Sequence, residues 1–461
     1  MPYKNQVASK GGHSDIVKNP DVALFLGECD YMKEPSEEEA NEIVSSFIDA
    51  PLNGKLPSKV VASDASKFSE PISGKFPSTQ IGYVKVSLVL IDVENYNGLT
   101  PIGSRYVDPF KVAAIHRNAD AFSFTLPGSN ITYKKASSVA NGFRLAIYEQ
   151  LSNSKTTVSK DGSYNVRKLL FEMNTILPKP LLVVKHCPSC KNILPSTHDD
   201  GFVFSDSSDK INCPNCGESV YYTDSLRIHE EISDFGDNSS AITRFMNAVE
   251  HLIMATLIKM LADLQPKALS DMAFIIDGPL AIFGQPARLH SRLMALYAQI
   301  AAKLQEKGYE PPIIVGLQKD GQLMEHARAL SRFIRGNTFK LVDDEYRFRH
   351  IKGSTSKSDN FGHETYYGQD FIFKTSSGKT FVVGMPYPFE TKASKATFAN
   401  DKANIDNYQN MIGRAFDVIR HFEFDLYENA VVPVALAHRH ASISLIPGGK
   451  ILELVSRNGL G

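Results

Sequence analysis

The chain has 461 residues, of which 43% are hydrophobic, and a formal net charge of −1. That length suits two or three domains with sizeable cores, and the charge excludes a global positive field, so any nucleic-acid site must be a local patch. No apolar run approaches the ~18–20 residues that span a bilayer, and the polar start MPYKNQVASKGGHSDIVKNP carries no secretory h-region, which together predict a cytosolic protein without membrane contact.

Residues 1–55 read as a mixed N-terminal extension. Within it, PSEEEANEIVSSFIDA predicts a helix with Ser36 as N-cap and glutamates in the first turn. SKVVASDASKFSEP follows as a short apolar strand ending on Asp64, and then a second strand, QIGYVKVSLVLIDVE, in which Val84, Val86, Leu88 and Leu90 alternate. SSVANGFRLAIYEQL (137–151) reads as a helix, and VRKLLFEM and KPLLVVKH lead into the cysteine pairs. After them come the long amphipathic run AITRFMNAVEHLIMATLIKMLADLQ and the buried strand MAFIIDGPLAIFG, ending at Asp277-Gly278. A helix over ARLHSRLMALYAQIAAKLQEKG closes on Gly308, a residue suited to a C-cap. PPIIVGLQKDG is a strand ending near Lys319, and QLMEHARALSRFI is a helix. GSTSKSDNFG (353–362) reads as a mobile loop, DFIFKTSSGKTFVVGMPY as a hairpin turning at Ser376-Ser377-Gly378, and NIDNYQNMIGRAFDVIRHFEF as a helix. The last strand-like run, AVVPVALAHRHASISL, contains His438. Strands alternate with helices and an early stretch resembles a meander, a pattern that predicts an α/β fold with a mixed sheet flanked by helices.

Four of the five cysteines form the pairs CPSC and CPNCG: Cys187 and Cys190, then Cys213 and Cys216, with 22 residues between. Two such knuckles are the signature of a zinc ribbon, and four thiolates close a tetrahedral shell, so a structural Zn²⁺ is expected, with no position left for a catalytic water. Disulfides are the rival reading, disfavoured in the cytosol. Cys29 stands apart as an ordinary thiol.

Glu250 is the anomaly of the long helix. Its neighbours at three, four and seven residues include Met246, Ile253, Met254 and Leu257, all apolar, and Asn247 is the one polar neighbour. A carboxylate there is at least partly buried and needs an ion-pair partner, a hydrogen-bond network or a metal. Glu149, the competing acid, has Ser152 and Asn153 beside it and can reach water. Asp64 and Asp277 each sit where an apolar strand runs out, a position that lines sites in α/β sheets and that turn residues also occupy. If the three carboxylates converge they form a hard oxygen cage suited to Mg²⁺ or Mn²⁺. His438 at the end of VVPVALAH is a further candidate ligand or acid/base, or a structural histidine. His440, two residues on, would face the same side of a strand, so the choice between them is open, with His438 preferred.

The segments VVASDASKF, GYVKVSLVLID, RFMNAVEHL, MAFIIDGPL, IIVGLQKDG and VPVALAHRHASIS occur in an order that resembles the NurA nuclease family, over about 56–100 and 240–445. The resemblance implies an RNase H-like core, which here reads as two parts, 56–180 and 226–461, with the cysteine-bearing ribbon (181–225) as an insertion between them. It implies a Mn²⁺-dependent (or Mg²⁺-dependent) DNA nuclease with 5′–3′ exonuclease and single-strand endonuclease activity. The implied setting is a homodimer working beside a HerA-like hexameric ATPase in DNA end processing, repair or antiphage defence. Residue by residue, it makes Asp64, Glu250, Asp277 and His438 the metal-binding catalytic set and Lys319 the lysine after the following strand. The ribbon and the greater length depart from a compact member of that family.

From Arg328 to Lys352 the chain carries seven Lys/Arg. On a helix over ARALSRFIR, Arg328, Arg332 and Arg335 share one face and could grip phosphates, with Phe333, Tyr346 and Phe348 placed to stack on bases or to join a core. No phosphate-loop motif is present, so ATP-driven movement of DNA would need a partner. Two rivals remain. One is a non-catalytic zinc-ribbon subunit that binds DNA or scaffolds. The other is a different RNase H-like enzyme, PIWI-like or specific for branched DNA.

Overall fold

A computed structural model of the chain describes residues 18–29, 32–73, 75–99, 119–352, 361–392, 395–423 and 430–443. Its centre is a nine-stranded mixed sheet. In chain order the strands of the molecule are β1 (Ile48–Asp49), β2 (Lys59–Ser73), β3 (Phe76–Asp92), β4 (Ala119–Pro127), β5 (Val183–Val184), β6 (Phe202–Val203), β7 (Lys210–Asn212), β8 (Ser219–Tyr221), β9 (Met272–Asp277), β10 (Ile313–Gln318), β11 (Thr338–Leu341), β12 (Gly368–Lys374) and β13 (Thr380–Pro386). The large sheet runs β1-β11-β12-β13-β10-β9-β2-β3-β4. Three of its inner strands, β10, β9 and β2, are parallel, and antiparallel pairings extend it on both sides. β9 and β10 are buried along nearly their whole length, as strands covered on both faces must be, and they read as continuous apolar runs. The expectation of α/β architecture with a mixed sheet flanked by helices is met.

The helix Ser239–Leu264 packs against β2 and β3. From Ala248 to Thr256 every residue is buried, so the helix is covered all round at its middle. The reading that no run is long and apolar enough to span a membrane needs correction: this helix passes by length and composition. Its burial in the core, against the sheet and the helices Val166–Asn174 and Leu289–Glu306, explains that apolar character.

Several local expectations hold for the stated reasons. Ser36 caps the helix Glu37–Ser45 in a reciprocal capping box with Glu39. Gly308, at φ +73°, follows the helix Leu289–Glu306. β12 and β13 form a hairpin whose turn carries Gly378 at φ +98°. Residues 353–360 of the expected loop lie outside the described residues.

Two expectations fail. β2 does not end at Asp64 but runs on to Ser73, paired throughout with β3. The segment with His438 is no strand: Val432–Ala441 is a helix with Pro433 in its first turn and Val434, Ala437 and Ala441 buried on one stripe. Proline lacks the N–H that a ladder needs and suits a helix start, so the β-branched start of the run misled.

Candidate metal centre

The site forms where one parallel strand stops and its neighbour continues. The ladder between β2 and β9 ends at Ser63 opposite Ile276. Asp277 closes β9, still paired with Leu317 of β10, and Asp64 is the first β2 residue past that ladder. Gly278, at φ +120°, turns the chain away, and its N–H donates to the Leu317 carbonyl at 2.9 Å. The following Leu280 folds back over the sheet onto Gly316 and Gly368, where a Cβ would lie 3.0 and 2.8 Å from its side chain.

Alternation along β2 assigns its side chains to two helices on opposite faces. Asp64 Oδ2 lies 2.9 Å from His438 Nδ1, and Ser66 Oγ donates to the Ala441 carbonyl at 2.9 Å, both on the terminal helix. Ser63 Oγ donates to Glu250 Oε1 at 3.0 Å, and Lys67 Nζ donates to Ser239 Oγ and Thr243 Oγ1, all on the long helix. Across 374 positions of sequence, the sheet thus brings Asp64, Asp277 and His438 together. One donor atom from each lies within 4.8 Å of the others. Glu250 is not one of that trio. It approaches from the other face, 5% exposed, with Ser63 as its hydrogen-bond donor.

Charge explains the state of these acids. Burial pushes the Asp64 carboxyl up, while its hydrogen bond with Asp277 and the Lys319 ammonium pull it back. Burial likewise raises Asp277, against the pull of Lys319, whose Nζ lies 2.5 Å from Asp277 Oδ2. Glu250 is raised well above the usual carboxylate range, first by burial and then by the charges of Asp64 and Asp277. Asp64 raises both Asp277 and Glu250, and Asp277 raises Glu250, an accumulation of negative charge that a divalent cation would relieve. Donors about 2.0–2.2 Å from one ion lie no more than about 4.4 Å apart, so the trio needs only small adjustment to share a divalent cation. The His438 side chain is 58% exposed, which opens the site to solvent on that side. On a helix His440 lies about 200° around the axis from His438, so the two do not share a face as they would on a strand.

Sequence reasoning missed the hydroxyls around these acids. Ser63 is one. Ser87 is another: it pairs with Asp64 across the β2–β3 ladder, is fully buried, and its Oγ has no hydrogen-bond partner among the described residues. Next to Glu250 in sequence, buried His251 places Nδ1 2.5 Å from the Tyr367 hydroxyl, and burial holds its pKa down to about 3. The signal for Ser63 was available, since in an alternating strand the residue before Asp64 must face the opposite helix.

The basic segment does not form the expected stripe. The helix Gln322–Leu330 stops before Arg332, and Lys374 Nζ donates to the carbonyls of Ser331 and Ile334 just past its end. Arg328 stays close to the site, donating to the Lys319 carbonyl at 2.7 Å. Arg332 lies over the Phe333 ring, and Arg335 pairs with exposed Asp49 on β1. Tyr346 is buried and bonded to His326, and Arg347 is buried in an ion pair with Asp370, so neither presents a surface to bases or phosphates. Glu149 binds Tyr133 and Lys134 near the surface.

The cysteine cluster is separate. All four Sγ atoms lie within 4.8 Å of one another, with Cys187–Cys216 at 3.8 Å and Cys190–Cys213 at 3.7 Å. Thiolates about 2.3 Å from a tetrahedral zinc stand about 3.8 Å apart, so the set fits Zn²⁺. Each knuckle turns through a left-handed residue directly after its second cysteine: Gly217 at φ +76° and Lys191 at φ +63°. The hairpins β5–β6 and β7–β8 carry the ribbon. It is fused to the body rather than free. Arg144 on the helix Val139–Ser152 makes a buried two-point bond to Asp224 and also donates to the Ser219 carbonyl. Cys187, Cys213, Phe204 and Tyr222 belong to the main core.

No family model and no curated protein matches the chain. Among solved structures it is similar to the NurA nuclease from Sulfolobus solfataricus, at 10% identity and a TM-score of 0.34, covering 98% of this chain and 97% of that one. It is also similar to a second NurA crystal structure, at 12% identity and a TM-score of 0.28, with 98% of each chain covered.

Proposed function

We propose that the chain is a divalent-metal-dependent DNA nuclease with an RNase H-like core. The observation that carries this reading is the meeting of Asp64, Asp277 and His438 at the end of β9, with buried Glu250 behind them. Asp64, Asp277 and His438 would hold Mn²⁺ or Mg²⁺, with Glu250 contributing from the opposite face. A divalent cation there supplies Lewis acidity for phosphodiester hydrolysis. Lys319 orients the Asp277 carboxylate and offsets negative charge at the mouth of the site. Arg328, beside Lys319, and the more distant Arg332 and Arg335 would steer the DNA backbone.

The sequence resemblance to the NurA family supplies the finer proposals. These are 5′–3′ exonuclease and single-strand endonuclease activity, a homodimer, a HerA-like hexameric ATPase as partner, and duty in cytosolic DNA end processing or defence. The Cys187, Cys190, Cys213 and Cys216 set would hold a structural Zn²⁺, and its fusion to the core makes the ribbon a brace in this reading.

Cleavage of end-labelled single- and double-stranded DNA with Mn²⁺, Mg²⁺ or EDTA, wild type against Asp277→Asn, tests the reading. Metal-dependent degradation that the variant loses supports it. No cleavage by wild type, even with a HerA-type partner and ATP, leaves the non-catalytic zinc-braced subunit.

A further inference from the structure

We propose that Ser63 is a positioning residue for this site, its hydroxyl fixing the Glu250 carboxyl so that an acid on the long helix serves the same cation as Asp64 and Asp277. The proposal deepens the nuclease reading and rests on it.

Glu250 has a placement problem. It belongs to a helix on the face of the sheet opposite His438; its helical neighbours Met246, Ile253, Met254 and Leu257 offer no hydrogen bond, and the side chain of the one polar neighbour, Asn247, is engaged by the Ala281 carbonyl and the Phe283 N–H. A glutamate has three rotatable side-chain bonds, so packing against apolar groups alone leaves its carboxyl free to turn. Ser63 supplies what is missing. Its Oγ donates to Glu250 Oε1 at 3.0 Å, the hydrogen bond that this carboxyl makes among the described residues. The donor is itself held firmly. Ser63 is fully buried on a central strand, paired with Ile276 of β9 on one side and Leu88 of β3 on the other.

The position in the strand matters as much as the bond. Ser63 and Asp64 are consecutive, so one backbone step sends a donor to one face and a carboxylate to the other. Asp64 is the first residue free of the β9 ladder, and Asp277 ends that ladder. The end of β9 is where the two faces can meet, and Ser63 is the last fully laddered residue before it. The charges of Asp64 and Asp277 reach Glu250, which places all three acids in one electrostatic neighbourhood. The hydroxyl therefore registers the helix against the strand at the point where the acids must act together.

The test uses the full-length, zinc-loaded protein and Mn²⁺ as probe, with binding followed by calorimetry and cleavage of labelled single-stranded DNA across a Mn²⁺ series. Loss of a partner that orients a metal ligand commonly costs ten- to a hundredfold in metal affinity, so Ser63→Ala should raise the Mn²⁺ needed for half-maximal cleavage by about that factor, while Ser63→Thr, which keeps the hydroxyl, should stay within about threefold of wild type. In a Glu250→Gln background, Ser63→Ala should add no comparable further loss of Mn²⁺ affinity, because the group that it positions is already altered. A general packing defect would penalise both backgrounds alike.

Wild-type affinity in Ser63→Ala, equal losses in the Ala and Thr variants, or the same penalty in the Glu250→Gln background would each overturn the proposal. A wild-type protein that binds no Mn²⁺ and cuts no DNA overturns the nuclease reading and this proposal with it. Normal wild-type binding with an unaffected Ser63→Ala overturns this proposal alone.

Discussion

The molecule builds its two candidate cation sites in opposite ways. The cysteine cluster is assembled by a stretch of 30 residues, Cys187 to Cys216, whose tight turns place the thiols in pairs before the rest of the chain is considered. The carboxylate–histidine cluster draws on Asp64, Asp277 and His438, and each arrives on a different element. The first needs turn geometry and two short hairpins within one segment, whereas the second needs the strand order of the sheet and the end of one ladder. A local site is robust to the fold around it and suits bracing. A site assembled by the fold is open to solvent, holds strained charge and suits chemistry.

The largest expected effect separates the two sites by function. Asp277→Asn should reduce Mn²⁺-dependent DNA cleavage by at least about a hundredfold, since it removes a ligand rather than a supporting group. Zinc content, measured by metal analysis of the same preparation, should stay at the wild-type value. Loss of zinc in that variant would show that the sites are coupled. The converse experiment is Cys213→Ser, which should lower zinc content and destabilise the fold by several kcal/mol, of the order of 3 or more, because zinc binding contributes directly to folding. Denaturant unfolding with and without a chelator measures this. A stable, zinc-free Cys213→Ser protein would make the ribbon dispensable.

A stability effect of comparable size tests how the ribbon is attached. The Arg144–Asp224 pair is nearly inaccessible, at 2% and 1% side-chain exposure. Arg144→Leu leaves Asp224 buried without its cation, and breaking one partner of such a pair costs about 3–5 kcal/mol. The variant should unfold at lower denaturant while binding zinc in the native state, because no thiol is touched. If stability is unchanged, the ribbon is not held through this contact.

The two sites were also unequally legible in the sequence. The cysteine spacing alone was enough to expect four converging thiols. For the carboxylates, the sequence marked Glu250 by its apolar helical neighbours and Asp64 and Asp277 by apolar runs beside them. It did not show that β2 continues past Asp64, because the event that exposes Asp64 happens on a different strand, β9. The helix bearing His438 was misread because Val431, Val432 and Val434 favour strands. Pro433 and the stripe Val434, Ala437, Ala441 carried the helical signal. The edge strand β4 was overlooked, although Phe122, Phe124 and Leu126 alternate in it. The arginine stripe failed because the helix ends at Leu330, and the carbonyls past that end are taken by Lys374 from a strand distant in sequence.

The smallest expected effect concerns Ser87, and it sharpens the contrast between bracing and chemistry. Its hydroxyl is buried, has no partner among the described residues, and stands opposite Asp64 in the ladder. A buried donor left unsatisfied costs about 1–3 kcal/mol, so a residue selected for stability alone would not carry one there. Ser87→Ala deletes the unpaired group and leaves only a small void. In metal-free protein it should therefore be neutral or stabilising by up to about 1 kcal/mol, read as a rise in the urea midpoint at unchanged slope. A clear loss of stability would mean that the hydroxyl has a partner in solution, such as an ordered water shared with Asp64. That water would then belong to the carboxylate site, a solvent-open feature without counterpart among the converging thiols of the ribbon.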